Sequence, residues 1–141
     1  MENVSEKHST MKRVIFVGLH NKPGMKPLDS KTKSGKLIDR IIEKCRRHGM
    51  SILKTNLFDV DYLPSKDQMP IMSFEWIERV ELYKGDVIVL LGAMTHKYFP
   101  KLPSDCNSIK VAHPTSKRSY VEMYDYVEKT FDLIKLVSPD G

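Results

Sequence analysis

Residues 13–24 read RVIFVGLHNKPG, and the reading of this stretch decides the fold. Val14, Ile15, Phe16 and Val17 form an unbroken apolar run rich in β-branched and aromatic residues. Such a run is the pattern of a strand covered on both faces, as in a parallel sheet. It ends at Gly18, then passes through His20 and Asn21 to Pro23-Gly24. Open α/β sheets place ligands beyond the carboxyl ends of their strands, so this is a candidate site. The same residues also suit an ordinary strand-to-loop turn, because Gly, Asn and Pro are turn formers.

Outward from this strand, the chain alternates. Residues 20–35 make a long loop with four lysines, Lys22, Lys26, Lys31 and Lys33. A loop of this length in a compact domain is usually functional or mobile. Its cations suit a phosphate backbone, or plain solvation. Leu37, Ile38, Ile41, Ile42 and Cys45 then share one helical face. His48-Gly49 stops that helix. Cys45 is expected in the core and His48 at the helix end.

Residues 51–57 read as a second strand ending in Thr55-Asn56. Residues 64–72 read as a loop, and 73–83 as a helix with Trp76 packed on the sheet. Val87 to Leu91 is the clearest buried strand. Gly92 closes it, and a short helix covers 93–99. Residues 108–113 form the fourth strand, which runs into His113-Pro114-Thr115-Ser116-Lys117-Arg118. Ser119 and Glu122 have the spacing of a capping box for a last helix. Tyr120, Tyr124, Val127, Phe131 and Ile134 share a face of it, which places both tyrosines in the core.

Composition bounds the class. The 141 residues suit one domain, residues 12–141, behind a loose polar tail at 1–11. Apolar content of 40% with 29% charged residues indicates a globular chain. The net charge of +5 favours a polyanionic partner. Two cysteines cannot build a disulfide framework or a four-thiolate cluster. Neither an apolar span nor a secretory h-region is present, so a cytoplasmic protein without membrane contact is expected.

The alternating order predicts an α/β fold: three αβα layers around a four-stranded parallel sheet. The strand ends would gather His20, Asn21, Asn56, Gly92, Thr95 and His113. Other chemistries lack their patterns. Gly35-Lys36 is not a P-loop, because Ser30 and Leu37 stand where glycine and Ser or Thr are needed. There is no G-x-G-x-x-G, no H-E-x-x-H and no G-x-S-x-G. No metal and no cofactor is expected.

Four segments resemble the uracil-DNA glycosylase superfamily. Gly18-Leu19-His20-Asn21-Lys22-Pro23-Gly24 is similar to its first motif, a buried strand ending in a Gly-x-Asn-Pro-Gly type loop. Ser34-Gly35-Lys36-Leu37-Ile38 is similar to the Ser-Gly start of its first helix. Thr55-Asn56-Leu57 resembles the strand end with the base-reading asparagine, and Val111-Ala112-His113-Pro114-Thr115-Ser116 the His-Pro-Ser loop. The four occur in the family's order and span most of residues 13–137.

The resemblance implies a small, cluster-free, monomeric enzyme that flips uracil or a related deaminated base out of DNA and hydrolyses its N-glycosidic bond. It implies that His113 stabilises the departing base and that Asn21 or His20 places the water. Asn56, with Gly18 and Met25, would hold the base. Lys22, Lys26, Ser116, Lys117 and Arg118 would meet the DNA.

The first loop is two residues longer than Asn-Pro-Gly. Ungapped, His20 stands at the water-positioning place; with an insertion, Asn21 does, and Asn21 is favoured. That loop also lacks a stacking aromatic, for which Met25 or Leu28 would substitute. Two other readings stand beside the enzyme. One is a catalytically silent nucleotide- or nucleic-acid-binding module of the same fold. The other is a Rossmann-like enzyme acting on free nucleosides or sugar phosphates.

Overall fold

A computed structural model describes residues 12–138. The tail expected at 1–11 and the last three residues of the expected domain lie outside this range. The elements run β1 (Arg13–Gly18), α1 (Lys33–Arg47), β2 (Ser51–Asn56), α2 (Met69–Arg79), β3 (Val87–Leu91), α3 (Ala93–Tyr98), β4 (Asn107–Val111) and α4 (Tyr120–Val137). A single 3-10 turn, Pro114–Ser116, joins β4 to α4.

The four strands form one all-parallel sheet in the order β2-β1-β3-β4. From β1 the chain moves outward to β2, then crosses to β3 and on to β4. The direction therefore reverses between β1 and β3, where α/β sheets open a crevice at their carboxyl edge.

Alternate residues of β1 face opposite layers. Val14 and Phe16 join Leu37, Ile38, Ile41 and Cys45 of α1 and Val127, Phe131 and Ile134 of α4. Ile15 and Val17 join Met69 and Trp76 of α2, with Met94 and Tyr98 of α3 packed against them. Helices thus flank the sheet on both faces. Trp76 is fully buried, and its indole N–H donates to the Thr55 hydroxyl at 3.2 Å, so no polar group is stranded there. Cys45 is buried, and burial pushes its thiol up to about 12, so it is an inert core residue. His48 forms the C-terminal cap of α1.

Three local expectations are corrected. α2 starts at Met69 and ends at Arg79, four residues ahead of the expected 73–83. Pro70 stands in its first turn, where a missing N–H costs no hydrogen bond. β4 ends at Val111, so His113 stands on the following loop rather than on the strand. Tyr120 and Tyr124 are exposed, not core. The buried tyrosine of α4 is Tyr126, whose hydroxyl donates to the Ala112 carbonyl at 2.5 Å.

Candidate functional site

At the carboxyl edge of the sheet lies a cleft of about 270 Å³. β1 delivers Gly18, His20 and Asn21 to it, β2 delivers Asn56, and the loop after β4 delivers His113 and Thr115. Met25, Lys22 and Lys26 come from the loop after β1, together with Leu28, Asp29 and Thr32. Lys33 and Ser34 of the first turn of α1 complete the wall.

Several contacts set this geometry. The β1–β2 ladder continues past both strands, with Leu57 N–H donating to Gly18 C=O and Phe58 N–H to Leu19 C=O, each at 2.9 Å. Asn21 N–H donates to Val60 C=O at 2.9 Å. The Asn56 carbonyl accepts from the Arg79 guanidinium at 2.6 Å. Asn56 is buried, and its carboxamide is hydrogen-bonded to the Asn21 carboxamide. A Cβ on Gly18 would come within 2.6 Å of Asn56 Oδ1, so glycine is what lets the asparagine lie against β1.

The hydrogen bonds of the two histidines engage Nδ1 in opposite roles. Nδ1 of His113 accepts from the backbone N–H of Thr115 at 3.2 Å, which leaves the proton on Nε2. Burial lowers the His113 pKa, which favours this neutral ring. Nδ1 of His20 lies 2.9 Å from the Asn21 carbonyl and must donate to it, so that Nε2 is the nitrogen that carries the lone pair when the ring is neutral. One cleft therefore carries an imidazole donor and an imidazole acceptor.

The loop at 20–32 is anchored. Lys54 Nζ donates to Leu28 C=O at 2.8 Å and pairs with Asp39 at 2.7 Å. The Asp29 carboxylate accepts the backbone N–H groups of Lys31 at 2.9 Å and Lys26 at 3.1 Å, which lowers its pKa. Thr32 donates to Asp29 C=O and accepts from Gly35 N–H, capping α1. Gly35 packs against the Asp29 backbone with no room for a Cβ. Asp29 and Thr32 were not singled out from the sequence. Asp-Ser-Lys-Thr before a helix is an Asx-turn and N-cap pattern, and it was legible there.

The other expected residues stand apart from the cleft wall. Ser116 and Arg118 are exposed on the loop behind His113. Lys117 lines a separate groove beside Val111, its ammonium 5.9 Å from the Tyr126 ring. Thr95 is buried on α3. Gly92 packs against His113, to which a Cβ would come within 3.3 Å. A larger groove of about 870 Å³ follows edge strand β2, and four of its charges pair with one another, Arg47 with Glu43 and Lys54 with Asp39.

Among the described residues no three His, Cys, Asp or Glu side chains are grouped as a metal site requires. None of their helices is long and apolar enough to cross a membrane. No protein-family model and no curated protein matches the chain.

Proposed function

We propose that the cleft is the active site of a monofunctional DNA glycosylase of the uracil-DNA glycosylase type. Its substrate is uracil, or a related deaminated base, flipped out of the DNA stack. One observation carries this reading: His20, Asn21, Asn56 and His113, from three strand ends, line one cleft with a donor imidazole and an acceptor imidazole. The volume lies near the small end of ligand pockets, roughly 300 Å³, and suits a single base.

The bond from C1′ to the base nitrogen breaks with its electron pair going to the base. Nε2–H of His113 donates to the base oxygen on which that charge accumulates. Water adds to the oxocarbenium-like C1′, and its proton passes to the lone pair on Nε2 of His20. A carboxamide cannot take up the water's proton and an imidazole nitrogen can, so His20 is the better water-activating group, which reverses the preference drawn from the sequence. Asn56 reads the base edge once a base displaces Asn21 from it.

A second reading is a nucleotide-binding module without chemistry. The Asn21–Asn56 contact favours it, since the reading edge of Asn56 is occupied, and so does a cleft wall whose only rings are the two imidazoles. The deciding assay is release of uracil from a labelled oligonucleotide, with hot alkali to cut the abasic site. Cleavage by wild type and not by His113→Ala is the expected result. No cleavage, with a shifted DNA band, overturns the enzyme in favour of the module.

A further inference from the structure

Tyr120 is 88% exposed and Tyr124 58% exposed. Both lie on the stripe of α4 that farther along buries Val127, Phe131 and Ile134. A stripe covered along most of a helix but bare in its first turns has run past the surface it packs on. α4 follows β4, so its bare turns overhang the carboxyl edge of the sheet, where the cleft opens.

Basic groups surround this overhang. α1 and α4 lie on the same face and run in the same direction, both antiparallel to the strands they follow. Lys44 of α1 pairs with Glu128 of α4 at 2.8 Å. Counting back equally along both helices sets Tyr120 about level with Lys36, and Lys33 at the cleft rim lies about one turn beyond. Arg118 is exposed just before the cap of α4. Glu122, in the first turn of α4, is turned onto the backbone N–H groups of Arg118 and Ser119, each at 3.0 Å. Asp125 lines the groove beside Val111 on the opposite flank of α4.

The geometry points to a platform for single-stranded nucleic acid: Tyr120 and Tyr124 stack on unpaired bases beside the one held in the cleft, while Lys33, Lys36 and Arg118 meet the phosphates. This rests on the reading of the cleft as a nucleic-acid site. Exposed rings with cations at their margin are the recurring device for holding single strands. A duplex offers them nothing, because both faces of each base are covered by neighbouring bases.

The test is fluorescence anisotropy with the full chain and an undamaged mixed-sequence oligonucleotide, as a single strand and as a duplex. Wild type is compared with Tyr120→Ala/Tyr124→Ala and with Tyr120→Phe/Tyr124→Phe. Each stacked base contributes about fivefold or more. The double alanine variant is therefore expected to lose at least tenfold in single-strand affinity and to keep its duplex affinity. The phenylalanine variant is expected to bind as wild type.

Equal loss on both DNA forms, no loss at all, or loss with phenylalanine overturns the platform. So does a wild-type dimer that the alanine variant abolishes while single-strand affinity is unchanged, since the tyrosines then serve contact between chains. Tyrosine-dependent binding without base release refutes the glycosylase and leaves the platform standing. Base release that is indifferent to both tyrosines, with binding equally indifferent, refutes the platform alone.

Discussion

The backbone N–H of Thr115 donates to Nδ1 of His113, and the Thr115 hydroxyl lies 2.8 Å from the same nitrogen. Both contacts fix the ring so that Nε2 carries the proton. If that proton stabilises a departing base, His113→Ala lowers the rate of base release by about 100- to 1,000-fold. Thr115→Val keeps the backbone donor and loses only the hydroxyl contact, worth about 1 kcal/mol, so its expected loss is about fivefold. Single-turnover release of uracil from an oligonucleotide measures both.

The lowered pKa of His113 has a defined consequence for pH. Burial disfavours the charged ring, so the neutral donor persists below the ordinary histidine value of 6.5. If the cleft releases bases, the His113 contribution to the rate is expected to hold as pH falls through 6.5 and to drop only at the lowered value. Stability follows the same sign. Between the lowered folded pKa and the unfolded value, the unfolded chain binds more protons, so stability from this residue is complete above 6.5 and declines as pH falls through that window. Denaturant midpoints of wild type and His113→Gln from pH 7.5 to 4.5 check this, and the wild type must show the steeper decline.

Gly18 and Asn56 offer a test of the cleft wall. Alanine at Gly18 sets a methyl against Asn56 Oδ1 at 2.6 Å and Leu28 Cδ2 at 3.2 Å. The expected cost is about 1–3 kcal/mol of stability, with Asn56 displaced. Any discrimination that Asn56 provides between uracil and cytosine then falls. Competition by the free bases would register it, and unchanged discrimination with an unchanged denaturant midpoint counts against the packing.

Asp86 supplies the control at the far end of the sheet. Arg13 opens β1, and its guanidinium meets the buried Asp86 carboxylate at 2.6 and 3.1 Å, while Tyr83 N–H donates to the same carboxylate at 2.7 Å. Asp86→Asn leaves the arginine charge without its partner and is expected to cost about 3 kcal/mol. Because the pair lies at the amino ends of the strands, base release at a permissive temperature should be unaffected.

Lys22 and Lys26 stand on the cleft wall with exposed side chains. If both contact phosphates, replacing them with alanine reduces the slope of log affinity against log salt by about 0.7 per lost contact on single strands. A parallel fall at all salt concentrations, with no change of slope, would mean that they do not neutralise phosphates.

Helix α2 and the tyrosines of α4 show where reading the chain as a string falls short. The loop expected at 64–72 contains Pro64 and Pro70, yet Pro70 sits in the first helical turn, the one place where its missing N–H is harmless. The step of Tyr120, Tyr124, Val127, Phe131 and Ile134 was legible, but periodicity defines a stripe and says nothing about how far the partner surface extends. Asp29 was passed over as part of a lysine-rich loop, although its carboxylate organises that loop.

The sequence by itself determined the strand and helix order, the parallel sheet and the set of polar residues at the strand ends. Those features depend on local chemistry: unbroken β-branched runs that tolerate burial on both faces, and amphipathic stretches between them. Only the tertiary structure decided the order β2-β1-β3-β4, the contact between Asn21 and Asn56, the opposite roles of Nδ1 in His20 and His113 and the overhang of α4. Each depends on groups far apart in the chain or on the reach of one element past another, and such distances are set by packing, which no local pattern encodes.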